Sequence, residues 1–216
     1  GGHSVLRCEF ADGARALYKP KDLRIDAACC DLVAWLNGQN PPVDLRAVRT
    51  LAREGYGWAE FVEHTACPDA RAVALFFGRA GAWLALLHCL AAADMHHENL
   101  VASGAHPVPV DLEATLQSAE PVTNRGPQYW AYDAARVLIA DSVLAVGLLP
   151  GYARVAGREP QQVGGFAAGW STGDQIRWLE VNSDTMRPER TASEPHTPNL
   201  PHVAGDHVGL AEHVED

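Results

Sequence analysis

From Val5 to Phe10, apolar Leu6, Cys8 and Phe10 alternate with Arg7 and Glu9, which is the period of a strand. "ADG" at residues 11–13 is a turn signal and "ARALYK" resumes the pattern, so the chain opens as a β-hairpin with Lys19 at the end of its second strand. Pro20 cannot donate to a ladder and ends the pairing. In "DLRIDAACCDLVAWLNGQN" the period becomes helical, with Ala28, Cys29, Leu32, Val33 and Leu36 apolar and Gly38 as a stop. "LRAVRTLAREGYGWAEFVEH" reads as two further strands joined at Glu54–Gly55.

The strongest helical pattern is "DARAVALFFGRAGAWLALLHCLAAAD". Val73, Phe76, Phe77, Ala80, Leu84 and Leu87 recur at helical spacing on a largely apolar cylinder, so this helix belongs at the centre. "NLVASG", a turn at "AHP" and "VPVDLE" predict a second small hairpin. "WAYDAARVLIADSVLAVGLL" predicts another long helix, stopped at Pro150–Gly151. Beyond Arg154, Gly, Pro, Ser, Thr and His dominate, so that part reads as mostly loop with little core of its own, with the start of a helix at the C-terminal end. The expected architecture is a two-lobed α+β protein with a cleft. Residues 1–66 make a β-rich part with one helix, 67–153 a helical core carrying the chemistry, and 154–216 a loop-rich remainder of the same domain.

Composition narrows the function. A chain of 216 residues with 47% hydrophobic content can bury a real core. A formal charge of −10 without a Lys/Arg run disfavours nucleic-acid binding. Five cysteines, none in a C-x-x-C pair, argue against a disulfide framework or structural zinc and for thiols in a reducing cytoplasm. No signal peptide opens the chain, and the most apolar run, residues 81–93, contains His88 and is too short to span a bilayer.

The chemistry-bearing stretch is "AAADMHHENLVASGAHPVPVDLE". A hairpin between Asn99 and Asp111 would bring an amide oxygen and a carboxylate together, hard donors that suit Mg²⁺. Glu113, two residues on, would point the same way if the strand continued. Asp94, off the metal, would position or deprotonate a hydroxyl, and Lys19 on the early hairpin would meet nucleotide phosphates. Each residue alone has an ordinary alternative, such as a solvated lysine, a turn carboxylate or a surface histidine. Asp111 and Glu113 directly after "VPV" are harder to dismiss, because buried acids need a partner. Zinc on His96, His97 and Glu98 is disfavoured because adjacent side chains diverge and no H-E-x-x-H is present. No G-x-x-x-x-G-K-[ST] loop occurs.

"LYKPKDL", "YGWAEFVEH", "FFGRAGAWLALLHCLAAADMHHENL", "HPVPVDLEATL", "DSVLAVGLLP" and "NSDTMR" together resemble, in order, the dehydratase domain of class II lanthipeptide synthetases, the LanM family. The resemblance implies a lipid-kinase-like fold, also akin to protein kinases. It implies ATP- and Mg²⁺-dependent phosphorylation of Ser and Thr in a leader-bearing precursor peptide, followed by phosphate elimination to dehydroalanine or dehydrobutyrine. Carried residue by residue, Lys19 matches the phosphate-contacting lysine; Asp94, His96 and Asn99 match the catalytic segment; Asp111 and Glu113 match the metal-binding segment. Phe61, Val62 and Glu63 of "AEFVEH" would line the adenine pocket with backbone groups. The family's G-D-x-H segment has no counterpart after Gly1, and His3 is not its histidine. No R-x-[IL]-x-R-P-T elimination segment matches, "MRPERT" being only superficially similar, and the C-terminal zinc cyclase domain is missing. The expectation is therefore a phosphotransfer core truncated at both ends, with no zinc, weak nucleotide binding and little or no dehydration. Two rivals remain: a small-molecule phosphotransferase of the aminoglycoside or choline kinase type, and a non-catalytic peptide-binding remnant.

Overall fold

The structure, a computed structural model, describes residues 4–116, 126–153, 161–167, 174–181, 183–192 and 197–209. His3 and most of the helix start expected near the C-terminus (residues 210–216) lie outside them. Strands β1 (Leu6–Glu9), β2 (Arg15–Lys19), β3 (Thr50–Arg53) and β4 (Tyr56–Glu60) form one antiparallel sheet in the order β1-β2-β4-β3. Lys19 pairs with Gly57 at the end of that ladder. Helix α1 (Arg24–Asn37) follows β2 and ends at Gly38, as the apolar spacing predicts. It buries Cys29 and Val33, and with them Asp26 one helical turn earlier.

Helix α2 (Ala70–Cys89) starts where the Asp69 side chain accepts from Ala72 N at 2.8 Å, an N-cap. Phe76, Trp83 and Leu87 are almost wholly buried at its centre. At 20 residues, with an 18-residue window of mean hydropathy 1.5, α2 is long and apolar enough to cross a membrane by length and composition, which residues 81–93 alone do not show. It serves instead as the middle of the core. Arg79 is the exception on its buried face: it donates to Asp44 O at 3.0 Å and Ala105 O at 2.8 Å and pairs with the Asp44 carboxylate. Those bonds satisfy a buried guanidinium and pin two loops to the helix.

The small hairpin consists of β5 (Leu100–Ser103) and β6 (His106–Pro109). Its turn falls at Gly104–Ala105, with Gly104 at φ +55°, rather than at "AHP". The second strand ends at Pro109, before the acids. The second long helix also differs from expectation. Helix α3 (Trp130–Ala140) stops, and Ser142 accepts from Leu144 N at 3.2 Å to begin a separate 3₁₀ turn, Val143–Val146. Serine competes for backbone groups mid-helix, and here it wins.

Among the described residues beyond Arg154, strand accompanies loop. Three further hairpins occur: β7 (Gly151–Ala153) with β8 (Gln161–Val163), β9 (Asp174–Leu179) with β10 (Arg187–Ala192), and β11 (His202–Val203) with β12 (Asp206–His207). This region also supplies core: Phe166 packs on Phe76 and Phe77, and Leu200 is buried. Fully buried Asn199 donates to Gly165 O at 2.9 Å and Ala167 O at 2.7 Å, clasping two segments together.

Candidate functional site

Lys19 ends β2 facing inward, only 6% exposed. Its ammonium donates to Val110 O at 2.7 Å and lies 4.0 Å from Asp111 Oδ2. A residue from the four-stranded sheet thus reaches the chain leaving β6. The partner hairpin strand is tied to the same place, because Val110 N donates to Asn99 O at 2.9 Å. Asp111 and Glu113 do face one way, though not as alternate residues of a strand. Past Pro109 the chain is irregular, Asp111 Oδ1 accepts from Glu113 N at 3.3 Å, and both carboxylates converge on Lys21.

Lys21 was absent from the residues that the sequence nominated. Its ammonium donates to Asp111 Oδ1 and Oδ2 at 2.7 and 2.6 Å and to Glu113 Oε2 at 2.7 Å. Partial burial works against its charge, but those two carboxylates outweigh it and hold its pKa above the ordinary lysine value. Asp26 was also missed, and a signal existed: an acid on the apolar stripe of a helix. It is 6% exposed; Oδ1 accepts from Leu112 N at 3.3 Å, while Oδ2 is buried without a partner. Burial pushes the Asp26 carboxyl up, opposed by the Lys19 ammonium and the Leu112 amide.

Asp94 occupies a left-handed backbone conformation, φ +61°, uncommon for a residue with a side chain. The surroundings over-determine it. His96 N and Asn99 Nδ2 both donate to Asp94 O at 2.9 Å, Met95 N donates to Val146 O at 3.0 Å, and Ala93 N to Ala114 O at 2.8 Å. Gly147, at φ +78°, and Gly165 press their backbones onto this loop; a Cβ would come within 3.2 Å of Met95 N at the first and 2.9 Å of Met95 O at the second. The Asp94 carboxylate itself is exposed. His96 caps the 3₁₀ turn His97–Asn99 through Nδ1, which accepts from Glu98 N at 3.2 Å; its Nε2 lies 3.8 Å from Asp94 Oδ1 and 3.3 Å from Asn99 Nδ2. The Asn99 amide nitrogen is committed to Asp94 O, which leaves its amide oxygen as an available donor to a cation.

Phe61 and Glu63 send their side chains elsewhere. The Phe61 ring stacks under Arg15 at 4.7 Å and Arg7 at 5.7 Å, and Glu63 pairs with Arg15. Val62 is buried with Val48, Ala59 and Val108. Residues 61–63 follow directly on β4, which ends at Glu60. Partly buried Leu17, Val101 and Val110 pack on that same small cluster. Each lies within two residues of a chemistry-bearing group: Lys19, Asn99 or Asp111. An aliphatic wall therefore adjoins a polar floor.

Over residues 1–216 the sequence matches the family described as "Domain of unknown function (DUF4135)". The chain belongs to this DUF4135 family. It is also 24% identical over 145 residues to the lacticin 481/lactococcin biosynthesis protein LcnDR2 of Lactococcus lactis subsp. lactis. That match covers 63% of this chain and 16% of the relative, so the DUF4135 chain spans a small part of the relative's length. Among the described residues of this DUF4135 member, no group of three or more His, Cys, Asp and Glu side chains is arranged to hold a metal. The donor set to weigh is therefore two carboxylates and one amide, all hard oxygens, which fits a cation that keeps several waters.

A separate concavity of about 370 Å³ is lined by Cys30, Asn37, Asp44, Arg46 and His106, among others, and by none of the nominated site residues. Burial, with Arg79 and Arg46 nearby, lowers the His106 pKa below its ordinary 6.5, although Asp44 opposes the shift. Its Nδ1 is buried and unpartnered, so protonation would bury a donor. The unfolded chain takes up this proton first, so stability is present above the ordinary value and falls as pH drops below it. His97 shifts the same way. Urea midpoints should decline between about pH 7.5 and about pH 5.5, and His106→Gln should flatten part of that decline.

Proposed function

We propose that this DUF4135 chain is the phosphotransfer core of a lanthipeptide-modifying dehydratase, with a two-lobed kinase-like arrangement. One observation carries the reading: Lys19 from the sheet and Asp111, just past the hairpin, meet at 4.0 Å, with the Asp94–Asn99 segment leading into that hairpin and an aliphatic wall beside them. Lys19 would contact the phosphates of ATP, and the purine would lie against Leu17, Val101 and Val110 near residues 61–63. Asn99, Asp111 and Glu113 would hold Mg²⁺, which when bound neutralises charge on the transferring phosphoryl group. Asp94, exposed and rigidly held, would accept the proton of a peptide Ser or Thr hydroxyl. The hydroxyl oxygen forms its bond to the γ-phosphorus as the bond to ADP breaks. In a complete dehydratase, a base would then take the Cα proton as the Cβ–O bond breaks, releasing phosphate and leaving a dehydro residue. The relation to a lacticin 481/lactococcin biosynthesis protein supports a precursor peptide as the acceptor.

The test is incubation with ATP, Mg²⁺ and a Ser/Thr/Cys-rich precursor peptide, read by mass spectrometry. Gain of phosphate on the peptide is expected, lost in Asp94→Asn. Loss of water is not expected, because no elimination segment matches within the sequence. Phosphorylation of choline or an aminoglycoside in place of peptide would sink the peptide reading. Peptide binding that survives Asp111→Ala, with no nucleotide turnover, would make the chain a binding remnant.

A further inference from the structure

Lys21 spends all three ammonium protons on the oxygens that a divalent cation at Asp111 and Glu113 would need. A cation at about 2.0–2.1 Å from those oxygens would use the same lone pairs, so cation and lysine exclude each other there. Lys19 does not compete this way. It is buried, belongs to the ladder and is bonded to a carbonyl, with Asp111 at the edge of its reach. Lys21 lies beyond Pro20, outside the ladder, with its side chain 26% exposed, so its stem can swing without disturbing a strand. A second observation points to a cation in addition to the two lysines. Asp26 is 6% exposed, bonds the backbone of Leu112 beside Asp111, and keeps Oδ2 buried without a donor. Three carboxylates (Asp26, Asp111, Glu113) thus gather around two ammonium groups.

Resting on the phosphotransfer reading, we infer that Lys21 is an exchangeable internal cation of this site. It holds Asp111 and Glu113 together until a divalent cation takes their oxygens, and the freed ammonium then pairs with the nucleotide's phosphates. Lys21 is therefore a brake on metal binding and an aid to nucleotide binding. A metal ion alone binds weakly, because it must break three charge-assisted hydrogen bonds. A metal arriving with ATP binds well, because the displaced ammonium finds new anions.

The experiment titrates Mn²⁺ alone into the full chain, by electron paramagnetic resonance or calorimetry, without nucleotide. Lys21→Met should bind Mn²⁺ about tenfold more tightly than the wild type. Lys21→Gln should do the same, and Lys21→Arg, which keeps the charge, should remain weak. At saturating Mn²⁺ the order should reverse for ATP, with Lys21→Met binding it more weakly than the wild type. Thermal melts check that each variant is folded. Mn²⁺ affinity in folded Lys21→Met or Lys21→Gln no greater than in the wild type, while Asp111→Asn abolishes binding, would overturn the exchange. Mn²⁺ binding unchanged in Asp111→Asn would instead overturn the site reading beneath it.

Discussion

Asp111→Asn should cut phosphoryl transfer to the peptide by about three orders of magnitude while leaving the fold intact. The substitution is nearly isosteric and keeps an oxygen to accept from Glu113 N, a bond of 3.3 Å. Lys19 keeps Val110 O and Lys21 keeps Glu113. The ion pairs lost are partly exposed, the Asp111 side chain being 24% accessible, so the stability cost should stay near about 1 kcal/mol. The transition state loses much more. A metal-bound carboxylate is worth several kcal/mol of charge stabilisation, and each ~1.4 kcal/mol is a factor of ten. The measurement is the single-turnover rate of phosphopeptide formation at saturating ATP, with a melting curve beside it. A rate within about threefold of wild type would remove Asp111 from the reaction. A melting temperature lowered by more than about 5 °C would reassign the residue to structure.

How much of this was readable before the fold depends on range. β1 through β4, α1 and α2 follow from local period and breakers, and they lie where the alternation and Gly38 put them. The pairing of Leu100 with Pro109, which ties Asn99 to Val110, was readable because a short hairpin forces it. Lys21 was passed over because nothing local separates it from any exposed lysine. Its role appears only when β2 is laid against residues 110–113, about 90 positions later in the chain. Asp26 carried a local sign, an acid in step with Cys29 and Val33, but its partner Leu112 is equally remote. The split of the long helix at Ser142 turned on capping, which a smooth apolar period conceals. The contribution of the region after Arg154 was the hardest to read. Low apolar density says little about whether the few apolar residues present are buried, and there Phe166 and Leu200 are.

That last point makes the largest stability prediction. Phe166→Ala should destabilise the chain by about 3–5 kcal/mol, the range for removing a buried aromatic ring. Phe166 is 4% exposed, with its ring centroid 6.1 Å from Phe76 and 5.8 Å from Phe77, so the void would open against the central helix and could not be filled by solvent. At about 2–4 °C per kcal/mol for a chain of this size, the melting temperature should drop by roughly 10 °C. Trp178, equally aromatic and in the same region but 53% exposed, is the control; Trp178→Ala should stay within about 0.5 kcal/mol. If the two variants melted alike, the region after Arg154 would contribute no core. The Phe166 result also bears on chemistry. Phe166 follows Gly165, whose backbone presses on Met95, and Phe166 N donates to Leu148 O at 3.2 Å beside the Val146 carbonyl that holds the Asp94 loop. Loosening that support should relax the left-handed Asp94, so at temperatures where Phe166→Ala is still folded, phosphoryl transfer should fall and nucleotide affinity should change little.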